Sequence, residues 1–319
     1  MTAPDAARAM PRTVLGYAWA TSGRHQAMLA ILAAAIFLMT MGPLELQRRI
    51  VNSALASGDA IRVAWLCAAY GALVLAAGGI KLGFNVYRGW LAETAVRDLR
   101  RRCYDHGVAL AEAGGTEQEG AGMSIILAEA EPVGGFVGMS FSEPLVQVGT
   151  LATVFGYMVA LEPGIALLSI ALFSVQALFI PRLQRMINRR AAERIAVMRD
   201  MGGAMIQDLG PGPTPDARRS LFHARADRVF ALNMQVHRRK FLMNFLMNLT
   251  HHLGIIGVLL VGGWWVATRQ LEVGTVVAFI AGLRQVNDPW GDLVNYMREA
   301  TVSQVKYRLI ASTIEAPPP

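Results

Sequence analysis

Residues 141–181 decide the class of this protein. They read FSEPLVQVGTLATVFGYMVALEPGIALLSIALFSVQALFIP, two apolar stretches, 141–161 and 164–181, joined by Glu162-Pro163. A helix needs roughly 20 mostly apolar residues to cross a bilayer core about 30 Å thick, and each stretch is close to that length. Because Pro-Gly is a strong turn signal, the segment predicts two membrane spans joined by a tight turn.

Four further stretches have the same character, so the sequence predicts six spans. These are residues 26–46, 63–87, 241–268 and 273–296. The composition agrees: hydrophobic residues make up 54% and charged residues 17%, against about a quarter charged in soluble domains. This excludes a disordered chain and argues against a soluble globular protein. The two cysteines, Cys67 and Cys103, are spaced neither for a disulfide framework nor for a CxxC metal site.

The basic residues predict the orientation. Of the 30 Lys and Arg residues, 24 fall on one side of the predicted spans, four on the other, and Lys81 and Arg284 inside. Cytoplasmic loops carry the excess of Lys and Arg, so both termini are expected in the cytoplasm, in a bacterial inner membrane. The net charge of +7 is explained by topology. We therefore expect no nucleic-acid partner, and interpret Arg100–Arg102 as topology-setting charge with anionic lipid contact possible.

Two long inner segments are predicted to be helical beyond the membrane. Residues 61–112 contain no proline, and Leu91, Ala95, Leu99 and Cys103 recur every four residues, as one helix face requires. A helix of that length is about 80 Å long, more than twice the hydrocarbon thickness. Residues 184–209 have a similar pattern, which GPGPTP at 210–215 interrupts before a second helical pattern continues into span five.

This plan resembles the transmembrane domain of the ABC exporter family. Residues 99–106, LRRRCYDH, are similar to the family's LRxxLFxH segment, and residues 119–131, EGAGMSIILAEAE, fall where it has the stretch leading into span three. Residues 273–279, VGTVVAF, look like the opening of its span six, and residues 302–310, VSQVKYRLI, stand where its tail lies. The resemblance covers about residues 12–315.

The resemblance implies an all-α membrane fold of six transmembrane helices with long cytoplasmic extensions, assembled as a domain-swapped homo- or heterodimer. Residues 1–24 would form a cytoplasmic arm or elbow, residues 25–311 the transmembrane domain, and residues 312–319 a proline-rich tail at the place of a linker to an ATPase domain. The chain would be the permease half of an exporter that moves an amphipathic, lipid-like substrate by alternating access.

The sequence contains no GxxxxGK[S/T] phosphate loop and no LSGGQ-like signature. ATP and Mg²⁺ are therefore expected on a partner nucleotide-binding domain, either a separate polypeptide or one missing from a truncated half-transporter. The family contacts that partner through two tips between the long inner helices. The corresponding residues here are Gly114, Gly115, Glu117, Glu119, Gly120 and Gly122, and Gly210, Pro211, Asp216, Arg218 and Arg219.

Polar residues within the spans are the candidates for a substrate cavity. Lys81 in span two and Arg284 in span six, with Asp288 as its neighbour, either line a translocation pathway or reach the interface by snorkelling. His251 and His252 in span five point about 100° apart on a helix, and no further ligands are spaced for a metal. We interpret them as hydrogen-bonded interior or cavity residues.

Two other functions stay open. A non-transporting membrane scaffold, or a degenerate half-transporter, would share the span pattern. A six-span secondary transporter would need ion-coupling carboxylates near the midplane. Glu45, Glu143, Asp288 and Asp292 lie toward span ends, which counts against it.

Overall fold

The computed structural model describes residues 10–56, 58–112, 129–207 and 214–314, and its regular elements there are all helices. The predicted all-α class is confirmed for these residues. The helices are α1 (Val14–Met39), α2 (Met41–Ala56), α3 (Ala60–Glu112), α4 (129–139), α5 (Ser142–Leu161), α6 (Pro163–Gln207), α7 (Pro215–Ala267) and α8 (Val273–Ile314). They form two compact units: Glu162–Ala267, and the residues up to Leu161 together with those from Thr268.

The longest helices far exceed the thickness of a bilayer. α3 and α7 each have 53 residues, α6 has 45 and α8 has 42. At 1.5 Å per residue these are lengths of about 80, 68 and 63 Å, so that roughly half of any such helix that crosses a bilayer must lie outside the hydrocarbon. The predictions of an uninterrupted helix over 61–112, and of a second one continuing into span five, are confirmed.

Five stretches are long and apolar enough to cross a membrane, whereas the sequence predicted six spans. They are Val14–Leu55, Ala60–Ala109, Glu129–Leu161, Pro163–Gly202 and Asp216–Ala267. α8 is not among them, because Arg284, Asp288 and several amides lower the hydropathy of its first half. Its membrane crossing stays a prediction.

The first predicted span, 26–46, is not one straight helix. α1 ends at Met39, and Thr40 caps it with its N–H directed to the carbonyls of Phe37 and Leu38. Pro43 cannot donate the hydrogen bond that would continue the helix across this point, which gives the break a physical cause. α2 then continues beyond the first predicted span and ends at Ala56. Most of the segment between the first two predicted spans is therefore helical.

The extension of α3 packs into a core with the N-terminal part of α1, α4 and the end of α8. Ala95, Leu99 and Cys103 are buried in it, and Leu91 is buried in a neighbouring cluster, so the predicted helix face is confirmed. Tyr17 donates a hydrogen bond of 2.8 Å to Asp98 Oδ2 within this region. Since these contacts lie beyond the apolar spans, the extension is stabilised by a hydrophobic core of its own.

This core makes a prediction about thiol reactivity. Burial raises the pKa of the Cys103 thiol to about 11, whereas Cys67 is exposed. The thiolate is the reactive form, so at pH 7 Cys103 should react with N-ethylmaleimide at least about a hundredfold more slowly than an ordinary thiol. Mass spectrometry of digested peptides should find the adduct on Cys67. The Cys67→Ser variant should stay unmodified until it is denatured, and rapid modification of native Cys103 would contradict the buried core.

The second unit consists of α6 and α7, which lie antiparallel along their length. Gln176 Nε2 on α6 donates to the carbonyl of Met247 on α7 at 3.4 Å, and Arg194 Nη1 donates to Asn233 Oδ1 at 3.2 Å. At the other end, a Cβ on Gly164 would meet the Trp265 ring at 3.0 Å. The absence of a side chain at Gly164 lets the two helices approach closely beside their membrane turn.

Candidate functional site

α8 carries a line of polar side chains on its exposed face. Arg284, Asp288, Asp292 and Asn295 are all exposed and follow one another at spacings of four, four and three residues. Residues at these spacings lie on one face of a helix. The opposite face is formed by buried residues such as Leu283 and Val286. α8 is thus amphipathic within the segment predicted to cross the membrane.

α3 places two further polar residues beside this line. Lys81 and Asn85 are exposed and one helical turn apart, while Phe84 on the other face is 4% exposed and packs against α1. Lys81 and Asp288 both lie within electrostatic range of Asp292. The predicted site residues Lys81 and Asp288 therefore belong to one cluster, which α3 and α8 share.

α5 connects the two helices. Gln147 Nε2 donates to Glu143 Oε1 at 2.8 Å and to Asp292 Oδ2 at 3.2 Å. Glu143 also forms an ion pair with Arg88 of α3, the guanidinium Nη1 being the donor. Arg88, Glu143, Gln147 and Asp292 were not among the predicted site residues. The available signal was the four-residue spacing of Arg284, Asp288 and Asp292.

Three charges of the cluster have no close partner in the part of the chain that the structure describes. Lys81, Arg284 and Asp288 make no hydrogen bond or ion pair there, so the expected pairing of Arg284 with Asp288 is not formed. Gln285 Oε1, Asn287 Oδ1 and Trp290 Nε1 of α8 are buried and likewise lack a described partner. We call the exposed residues Lys81, Asn85, Arg284, Asp288, Asp292 and Asn295 the polar lane.

A second polar network, at the opposite end of the same unit, is satisfied internally. Glu45 Oε2 accepts from Arg48 Nε at 2.9 Å and from Tyr157 Oη at 2.8 Å. Asn52 Oδ1 accepts the N–H of Gly274 at 2.8 Å and so caps the start of α8. These bonds join α2, α5 and α8. The charged groups of this network therefore have partners, whereas three charges of the polar lane have none among the described residues.

α7 carries a polar stripe of its own in the second unit. Asn244, Asn248 and His252 are exposed at four-residue intervals, whereas His251 is half-buried. The two imidazole rings lie 5.5 Å apart between centroids with an interplanar angle of 66°. The two adjacent histidines thus differ in exposure, and His252 alone joins the exposed stripe.

The polar side chains occupy the same half of each helix's apolar segment. Residues 63–80 of α3, 253–267 of α7 and 273–283 of α8 contain no charged residue, and the polar residues follow only toward the long extension. An exposed charge or amide is costly in hydrocarbon, and intramembrane polar residues usually face a bundle interior or water.

The predicted ATPase-contacting tips are described only in part. Asp216, Arg218 and Arg219 lie in the first turns of α7, with Arg219 Nη1 3.5 Å from Asp216 Oδ1. Asp216 and Arg219 are exposed, and Arg218 is half-buried. Gly114, Gly115, Glu117, Glu119, Gly120, Gly122, Gly210 and Pro211 lie outside the described residues.

Within the described ranges, no three His, Cys, Asp or Glu side chains come together as a metal site would need. The sequence matches no protein-family model and no curated protein.

Proposed function

We propose that this chain is the membrane-spanning half of an ATP-driven exporter with the ABC exporter transmembrane-domain fold. The polar lane carries the proposal, because exposed charges at membrane depth are stable beside an aqueous pathway and costly beside lipid. α8 is then the sixth span, and its lane accounts for its low hydropathy. The polar stripe of α7 supports the same conclusion independently.

The long helices support coupling to a partner ATPase. Helices of about 80 Å extend some 50 Å beyond a 30 Å hydrocarbon core, far enough to carry motion between the membrane and a cytoplasmic protein. The excess of basic residues favours a cytoplasmic location for these extensions and for both termini. ATP and Mg²⁺ bind the partner, which contacts the tips Gly114–Gly122 and Gly210–Arg219.

A dimer is supported by apolar surface that one copy leaves uncovered. None of the residues in the most apolar window of α3 is buried, and Trp65 and Leu75 are 73% and 78% exposed. In the proposed domain-swapped dimer, a second copy covers part of this surface and lipid covers the rest. Twelve spans then enclose the pathway, which alternates between the two sides of the membrane.

Cysteine accessibility tests this proposal. In a background with Cys67→Ser and Cys103→Ala, we compare Asn85→Cys with Leu82→Cys on α3, and Asn248→Cys with Leu249→Cys on α7. All four positions are exposed, but only the asparagines lie among the polar residues. A membrane-impermeant thiosulfonate needs a hydrated thiolate, so it should modify the two former asparagine positions at least about tenfold faster.

The same variants test coupling to ATP. The chain is purified from its native membranes together with its ATPase, and modification is repeated with ATP and vanadate. Closure of the ATP sites should slow modification at positions 85 and 248. If both positions are water-accessible but indifferent to ATP, the exposed carboxylates Asp288 and Asp292 favour an ion-coupled secondary transporter. If the asparagine and leucine positions react alike, no aqueous pathway exists and a scaffold is the better interpretation.

A further inference from the structure

The charges of the polar lane and of the Arg88–Glu143 pair beside it balance one another. Arg88 neutralises Glu143, Gln147 donates to Asp292, and Lys81 lies within electrostatic range of that same carboxylate. Lys81 has no described ion pair either, but it offsets the charge of Asp292, which leaves Arg284 and Asp288 as one further cation and one further anion. A surface of this kind favours neither a simple anion nor a simple cation, because each would meet one like charge.

The two charges are displaced along the helix axis. Arg284 and Asp288 are four residues apart, which is about 6 Å of helix rise. Arg284 lies deeper in the apolar segment and Asp288 nearer to the extension. Although residues at this spacing are close enough to pair, the described part of the chain contains no ion pair between them. Both charged groups are therefore available to a ligand.

Apolar surface continues from the lane. Leu82 and Val86, beside Lys81 and Asn85 on α3, are 66% and 64% exposed, and Leu75 lies further along the apolar half. A ligand whose charged groups contact Arg284 and Asp288 can lay an apolar chain against this surface. Burial of such a chain stabilises binding through the hydrophobic effect.

We propose that the polar lane binds a membrane lipid with a zwitterionic headgroup. Arg284 binds the anionic group of the headgroup, and Asp288 binds its cationic group. The two residues lie one turn apart on the same helix face, with about 6 Å of rise between them, so that one headgroup can contact both. This inference rests on the proposed function, whose substrate class it specifies.

The test compares three lipids with identical fluorescent tails: a phosphatidylethanolamine, a phosphatidylglycerol and a trimethylammonium-propane lipid. Binding to the detergent-solubilised chain is measured by fluorescence anisotropy. The zwitterionic lipid should bind about tenfold more tightly than either singly charged lipid, as one additional charge-assisted contact implies. Equal affinity for the three would overturn the proposal.

Single-charge variants give the sharper result. Arg284→Gln should shift the preference to the cationic lipid, and Asp288→Asn should shift it to the anionic one, each by about tenfold. The matched control is Arg62→Gln, an exposed arginine at the start of α3 and outside the polar lane, which should leave the order unchanged. If the three variants keep the same order, the assignment of Arg284 and Asp288 is wrong.

The two proposals fail in different ways. If Asn85→Cys reacts with the impermeant reagent and responds to ATP while the headgroup preference is absent, only the lipid proposal is overturned. If Asn85→Cys does not react, the aqueous pathway is absent and both proposals fail. A double exchange, Arg284→Asp with Asp288→Arg, should retain the preference for the zwitterionic lipid, and its loss would count against recognition by charge.

Discussion

Replacing Gly134 by leucine should destabilise the protein by about 3 kcal/mol, the upper part of the range for overpacking. A Cβ at Gly134 would lie 2.4 Å from Val96 Cγ2 and 2.7 Å from the backbone nitrogen of Val96, with the carbonyl of Ala92 at 3.0 Å. A side chain can rotate away, but the backbone of α3 can yield only if α3 and α4 separate. That separation would open the core formed with α1 and α8.

The neighbouring glycine provides a matched control. A Cβ at Gly135 meets nothing within 4 Å, so Gly135→Leu has the same change in volume and helix propensity without the clash. Thermal unfolding in detergent, followed by tryptophan fluorescence, should show a large fall in Tm for Gly134→Leu and a small change for Gly135→Leu. Equal falls would mean that α4 does not pack against α3 as described.

Much of this fold is predictable from local sequence. The absence of proline over 61–112 predicts the extent of α3, and the four-residue spacing from Leu91 to Cys103 predicts its buried face. Both predictions succeed because the periodicity of a helix does not depend on which helices pack against it. The interruption at Thr40 was missed because hydropathy takes no account of backbone hydrogen bonds, although Pro43 was visible. The mean hydropathy of α8 is lower than that of a membrane span because of the charges on one of its faces. These same charges make α8 part of the candidate site.

The candidate site was predictable only in part. Lys81, Arg284 and Asp288 could be identified individually, since a charge inside an apolar stretch is conspicuous. Their cluster depends on Gln147 and Glu143, which lie more than fifty residues from Lys81 and even farther from Asp292. Such residues come together only when α3, α5 and α8 pack. Charged residues that lie toward the ends of the predicted spans therefore belong to the site once these helices pack together.

The ion pair between Arg88 and Glu143 should contribute the other large effect. Their side chains are only 31% and 17% exposed, and Gln147 also donates to Glu143. Replacing Arg88 by glutamine leaves a largely buried carboxylate without its cation, which should lower the free energy of unfolding by about 3 kcal/mol. Glu143→Gln should destabilise as well, by leaving the guanidinium unpaired.

A double-mutant cycle separates the pair from its surroundings. Arg88→Gln with Glu143→Gln should be about 2 kcal/mol more stable than the sum of the single changes predicts, because the double variant contains no unpaired charge. Arg100 and Glu131 supply the control: they connect α3 to α4 at 3.5 Å, but their side chains are 48% and 75% exposed. Water already screens that pair, so its coupling should stay below about 1 kcal/mol. Equal coupling in the two cycles would mean that water reaches Glu143 as freely as it reaches Glu131, and the polar lane would then begin at Arg88.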